Sequence, residues 1–591
     1  MATKIVTMLL GISLILTVAC GTAAPQPTAA PEQTAAPADT SDEPTSAPTL
    51  PESDTSQPTA TPQMAAPPAD VEVNPGKVTW MTGDFGNERF DSAFSVAGVG
   101  KQYASLIHAN LIGSDVAEER RVLAPGIVTD WSLSGDGLTW TLTVRNGAKF
   151  HDGTDVTAED VLWTLQHIMG PQAGDYVSGG NAISISKLMD RIEQTAPDQV
   201  SVTTKSPFVT FSLTISEVSG GFAGAVLPKR ATLHDEVEEA AYDRNPIGAG
   251  SMRLTNHVPA SVMSFERFDD YYHQPKNGFA TDKRVKFTTF DLWLAPEEAT
   301  RAAALRSGEA DIVPASLTTK GQIEAGGGRL IFGQEGAISF IMQLGCWKPQ
   351  FPCSDKRVRQ ALQYAIDKEL MRDTLYGGPE VMQVKGWTHV TPSTLGYSPD
   401  LDPYPFDPDK ARQLLADAGY PGGKGFGKLI VNTHVSASMP LMPESAQLTA
   451  DMWRRELGLD VEVKIGDKTA LKGATQLTED LHGQIFWRDD DTLYDASEDL
   501  RVGKYWGGDR GPDQAHDDPE LIALAAKTDA VLDPVQREKA LNVAYQRFHE
   551  EAYWIGLGYV NIPWGVGPRI QTWQPYPMAQ YPTALHTITL K

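Results

Sequence analysis

Leu138, Trp140, Leu142 and Val144 alternate with Thr139, Thr141, Thr143 and Arg145 without a break. A period of two is the spacing of a strand with one face on a core and the other toward solvent. The run is entered by Ser134, Gly135, Asp136 and Gly137 and left by Asn146 and Gly147, all turn formers, so it is one arm of a hairpin or meander. The period then changes. Thr157-Ala158-Glu159-Asp160 leads into Val161, Leu162, Leu165, Ile168 and Met169, apolar at helical spacing behind a near capping box. A chain that switches period in this way must pack helix and sheet on a common core.

Strand and helix signals recur along the rest of the chain. Gly76 to Met81 is a short strand candidate, and Ser354 is predicted to cap a helix with the stripe Val358, Ala361, Leu362, Ala365, Ile366 and Leu370. Asp407-Pro408 opens a helix that closes at Gly419, and Asp518-Pro519 and Asp533-Pro534 open two more, each with proline at the first helical position. Leu429 to Thr433, a helical Glu444 to Leu457, and Val461, Val463 and Ile465 form a strand, helix, strand unit of an α/β lobe. No internal repeat of fixed period is visible.

The start of the chain belongs to export rather than to a fold. Lys4 precedes an apolar run from Ile5 to Leu16 and then Thr17, Val18, Ala19 and Cys20. The run is shorter than the ~20 residues of a membrane-spanning helix, which makes residues 1–20 a signal peptide. Cys20 resembles the lipobox cysteine of bacterial lipoproteins, and lipidation there is expected; the alternative is ordinary cleavage near Ala19 and release. Residues 21–73 are built from Ala, Pro, Thr, Ser, Asp and Glu. They cannot bury enough apolar surface to offset the entropy of ordering, so a disordered Pro/Thr/Ala-rich linker is expected.

Among 591 residues the formal net charge is −25. That balance argues against nucleic acid and against electrostatic docking on anionic lipid, both of which select basic patches. The length implies two or three domains after the linker. Of three cysteines, Cys346 and Cys353 remain once Cys20 is assigned to lipid, and in an oxidising compartment a local disulfide is expected. Their spacing lacks a zinc-knuckle pattern, and no cofactor or metal is expected.

Several segments, in order, resemble the family 5 extracellular solute-binding proteins, the oligopeptide, dipeptide and nickel-binding components of ABC importers. They are Leu123-Ala124-Pro125-Gly126 through Trp131, Asp136-Gly137-Leu138-Thr139, Arg145-Asn146-Gly147, Lys149-Phe150-His151-Asp152-Gly153 and Thr157-Ala158-Glu159-Asp160-Val161. Asn245-Pro246-Ile247-Gly248 with Gly250, Ala304 to Ile312, Ser354 to Ala361 and Ala365 to Lys368 follow. Each is weak alone; the ordered set is specific.

The resemblance implies an α/β, periplasmic-binding-protein-like two-lobe hinged trap with an extra small domain, of the type II, large cluster C form. By motif order, 74–118 and 245–332 form lobe I, 119–244 the small domain, 333–553 lobe II, and 554–591 the return to lobe I. It implies no enzyme activity, a small-molecule ligand of peptide type, ABC permease subunits as membrane partners, a monomer, and a place on the outer face of the cell membrane or in the periplasm. Peptide-binding relatives carry a Trp followed three residues later by an Asp that pairs with the ligand ammonium group. Trp487 and Asp490 have that spacing, with Phe486, Arg488 and Trp506 as further ligand-binding candidates.

Other readings compete with this one. The acidic run Asp489-Asp490-Asp491 suits a solvated face, or paired carboxylates of a secreted hydrolase. Trp387, Trp487 and Trp506 could be stacking platforms for an oligosaccharide. His151 reads as a turn element rather than a catalytic base. No Gly-x-Ser-x-Gly elbow and no pair of His four apart with an intervening Glu occurs, so hydrolase chemistry lacks a visible nucleophile or zinc site.

Overall fold

The computed structural model describes residues 76–591 apart from 92–97, 118–119, 174–184, 219–222, 232–235, 334–335, 337, 345–348, 437–438, 440, 468–470, 472–482, 493, 498–499, 501–517, 579–580 and 582. The expected signal peptide (1–20, with Cys20) and the expected linker (21–73), with Cys346 and Trp506, therefore lie outside the described residues.

Two mixed sheets organise the two lobes. The first runs in the order Arg329–Phe332, Pro563–Val566, Ile312–Pro314, Lys77–Thr82, Thr289–Leu294, Val262–Arg267 and Met252–Val258. Its middle is parallel: Lys77–Thr82 pairs residue for residue with Thr289–Leu294 and, through Trp80, with Ile312. The second sheet runs Met382–Gln383, Trp554–Val560, Ile338–Leu344, Ile485–Asp491, Lys428–His434 and Asp460–Gly466. Helix Met442–Leu457 crosses between the parallel strands Lys428–His434 and Asp460–Gly466, as the strand, helix, strand reading predicts. The expected return point to lobe I at residue 554 is corrected. Trp554–Val560 is buried at every position and pairs with Ile338–Leu344 and Met382–Gln383, so the chain stays in the second sheet until Val560.

A separate four-stranded antiparallel sheet, Val128–Leu133, Thr139–Val144, Gln199–Thr204 and Met189–Ala196, carries the alternating run. Trp140, Leu142 and Val144 are buried and the intervening threonines half-buried. Helix Ala158–Met169 packs on this sheet behind a complete capping box, in which Thr157 Oγ1 accepts from Asp160 N and Asp160 Oδ2 accepts from Thr157 N. The predicted Ser354 cap is displaced by one residue. Ser354 closes a 3-10 turn, and the Asp355 carboxylate accepts from Arg357 N at 2.8 Å to start Lys356–Tyr364. The predicted stripe divides there, because Asp367 caps a second helix, Lys368–Leu375.

Two signature motifs interlock. The backbone N–H of His151 donates to Gly248 O at 2.8 Å, and its Nε2 lies 3.2 Å from Gly250 O. Both glycines press on the end of helix Lys101–Ile107. A Cβ on Gly248 would stand 2.0 Å from Ile107 O, and one on Gly250 would stand 2.3 Å from Leu106 O. Only a residue without a side chain allows that approach.

Burial pushes the pKa of His151 down to about 4, and that of His108 likewise to about 4. Both are neutral in the folded protein at neutral pH, which makes His151 a structural hydrogen-bond donor. Because the folded value lies below the unfolded value of about 6.5, the unfolded chain binds more protons between those limits. Stability is therefore full above about pH 6.5 and falls as the pH drops toward 4. Replacing His151 by Gln should flatten that fall by about 1.4 kcal/mol per pH unit. Denaturation midpoints at a series of pH values check it; parallel curves for the two proteins would refute it.

The two sheets are joined by two crossings that run side by side. Phe332 pairs with Pro563 in the first sheet and Ile338 with Val560 in the second. Between them Gly333 N donates to Ile562 O at 3.1 Å and Gly336 N to Asn561 Oδ1 at 2.9 Å. Two short, hydrogen-bonded crossings between packed lobes are the form of a hinge.

Candidate functional site

The strand that carries Trp487 and Asp490 lies inside the second sheet. Ile485–Asp491 pairs antiparallel with Ile338–Leu344 over its whole length, with Trp487 opposite Met342, Arg488 opposite Ile341 and Asp490 opposite Ser339. On its other side it is parallel to Lys428–His434 through Val431–Ile485 and Asn432–Phe486. Asp490 thus stands one residue from the carboxyl end of a strand with a parallel neighbour. In open α/β sheets that edge is where ligands bind.

The same edge is where the chain crosses between the lobes. Thr492 Oγ1 donates to Gly336 O at 2.7 Å, tying the end of the strand to the crossing segment. Ser339, in register with both Asp490 and Tyr559, is fully buried, and its hydroxyl has no hydrogen-bond partner. A buried hydroxyl without a partner is uncommon in a folded protein, and this one lies on the strand position opposite Asp490. Nothing in Ile338-Ser339-Phe340 signals this in sequence, because a single serine in an apolar strand is unremarkable.

The aromatic candidates fall differently. Trp487 is 1 % exposed and packs in the main core with Val358, Leu362 and Trp453, and Phe486 is 7 % exposed. Trp387 is wholly buried edge-on against Phe548, with ring centroids 4.6 Å apart, and Gly556 lies against its indole. Trp387 and Trp487 are therefore packing residues of the second lobe rather than an open stacking wall. The side chains of Arg488 and Asp490 lie outside the described residues. Cys353 is buried, and among the described residues no group of three or more His, Cys, Asp or Glu could hold a metal ion.

Residues 122–509 match the bacterial extracellular solute-binding proteins, family 5 (middle), over well more than half of the chain. The chain belongs to that family. Among curated relatives, heme-binding protein A of Haemophilus influenzae is 26% identical over 327 residues, covering 51% of this chain and 54% of that protein. The glutathione-binding protein GsiB of Salmonella choleraesuis is 28% identical over 350 residues, covering 58% and 62%. The matches thus span a little over half the length of these relatives. Among solved structures, the periplasmic binding protein DppA from Helicobacter pylori, in complex with the peptide STSA, superposes with a TM-score of 0.71 at 19% identity, over 87% of this chain and 98% of that one. At that identity the likeness shows the fold, the two-lobe α/β architecture of periplasmic binding proteins.

Proposed function

We propose that this family member is the extracytoplasmic receptor of an ABC importer, capturing oligopeptides or dipeptides between its lobes and delivering them to the membrane permease. The observation that carries the reading is the position of Asp490, three residues after Trp487 and at the carboxyl edge of a parallel strand pair beside the crossings. A carboxylate there suits a ligand ammonium, while main-chain pairing holds an extended ligand without regard to its side chains. The lobes, built on the two sheets, close about the crossings. A relative named for glutathione and one solved with the peptide STSA are consistent with such a ligand. An oligosaccharide would want aromatic platforms, and Trp387 and Trp487 are committed to the core. Capture and delivery require no bond chemistry, so no catalytic residue is assigned.

A thermal-shift screen of di- to pentapeptides against cello- and xylo-oligomers tests the reading. A ligand at a hundred times its dissociation constant stabilises by about 2.7 kcal/mol, so a true ligand is easily seen. Stabilisation by oligosaccharides and by no peptide would overturn it.

The receptor is proposed to act as a monomer held to the membrane by lipid on Cys20. Cys20→Ala should move the exported protein into the aqueous fraction, since residues 5–16 are too short to span. Extraction of the mutant only by detergent would contradict the anchor. Cys346 and Cys353 are proposed to be cross-linked, and labelling of both thiols in the unreduced native protein would rule that out.

A further inference from the structure

Tyr494 follows the strand of Asp490 and is fixed in the second lobe from both sides. Its carbonyl accepts from Leu395 N at 2.9 Å, and the next residue, Asp495, is held by two hydrogen bonds from Arg537 on helix Pro534–Glu550. Its side chain leaves that lobe. The hydroxyl lies 3.4 Å from Nη1 of Arg121 and donates to Pro577 O at 3.3 Å. Arg121 stands on the hairpin Ile112–Ala117/Arg120–Pro125, and Pro577 follows strand Ile570–Thr572, so both partners are outside the second lobe.

The receiving side is preformed. The Arg121 side chain is 5% exposed, and Nη2 donates to Ser114 Oγ and to Glu217 O, each at 2.9 Å. Its guanidinium carbon lies 4.8 Å from the ring centroid of Tyr576 and 5.8 Å from that of Tyr494. Both distances are within the cation–π range. A second contact, farther out, joins the second lobe to the four-stranded sheet of the small domain. Leu532, just before helix Pro534–Glu550, packs on the turn before Thr139–Val144, where a Cβ on Gly137 would stand 3.3 Å from Leu532 Cδ2.

We propose that Tyr494 and Arg121 form a clasp that holds the shut trap through protein atoms alone, and that Tyr494 is a positioning residue for the anchor four residues before it. The proposal rests on the reading of the chain as a closing receptor. A hydroxyl in contact with a buried cation strengthens the closed state only, because opening the lobes withdraws Tyr494 from its socket. The clasp therefore sets how long the trap stays shut rather than how fast ligand enters.

The test uses Tyr494→Phe, which keeps the ring and removes the hydroxyl, in the full exported chain with spin labels at Lys276 and Asp409. Without ligand, the variant's distance distribution should shift toward longer separations while unfolding stays a single cooperative transition. With a peptide that stabilises the native protein, ligand release should quicken about tenfold while the association rate is unchanged. Arg121→Lys keeps the charge and loses the planar fork, so its effect and that of Tyr494→Phe should not add. Unchanged distances in both variants would overturn the clasp. If no peptide binds the native protein, the peptide reading fails, and the ligand-free distances still decide for or against the clasp.

Discussion

Replacing Arg537 by alanine should cost about 3–5 kcal/mol of stability, the penalty for leaving a buried charge without its partner. Arg537 and Asp495 have side chains only 7% and 6% exposed. Arg537 Nη2 donates to Asp495 Oδ1 at 2.8 Å and to Ser497 Oγ at 2.7 Å, and Nη1 donates to Asp495 Oδ2. Ser497 N and Oγ complete the carboxylate's shell at 2.9 and 2.7 Å. The pair ties helix Pro534–Glu550 to the segment that follows the candidate binding strand. Arg537→Lys keeps the charge but not the two-pronged fit, and should fall between native and alanine. Removing both charges at once, as Asp495→Leu with Arg537→Met, should cost less than the alanine change alone, since no ion is left stranded. Denaturant midpoints at constant slope report all three. A loss below about 1 kcal/mol for Arg537→Ala, the range of a solvated pair, would contradict the account.

Asp490→Asn should lower peptide affinity by about 30-fold or more, because a desolvated pair that loses one member costs roughly 2 to 5 kcal/mol and 1.4 kcal/mol is tenfold. The substitution preserves shape and removes charge, so the fold should be untouched. Successive strand positions alternate in face, and Asp489 and Asp491 are one register step to either side. On the strand face opposite Asp490 neither meets the ligand ammonium directly, so Asp489→Asn or Asp491→Asn should each cost at most about 1 kcal/mol of affinity. N-acetylation of the peptide should reproduce the Asp490→Asn loss without adding to it, since both delete one interaction. Equal losses at all three aspartates would point to a general field rather than an anchor.

What was legible in the sequence was local. The alternating run, the capping box at Thr157 and the Asp-Pro helix starts each depend on a few neighbouring residues, and each forms as read. The Ser354 cap was one residue off because a serine followed by an aspartate offers two acceptors, and the carboxylate wins. The return at residue 554 was misplaced because a strand buried throughout has no period to show which sheet it joins. Side-chain chemistry alone does not separate a tryptophan wall from a tryptophan core, and only burial places Trp387 and Trp487 in the core. The crossings, the Asp495–Arg537 pair and the Tyr494–Arg121 contact were illegible for a common reason. Their partners lie far apart in the chain, 42 residues in one case and 373 in another, and no periodicity links them.

Titration calorimetry of the native receptor with one peptide from the thermal screen, in its free and N-acetylated forms, tests the central claim most directly. The account predicts saturable one-to-one binding of the free peptide and binding of the acetylated form weaker by about 30-fold or more. Equal affinity for the two forms, or binding of a neutral oligosaccharide with none of peptide, would contradict it.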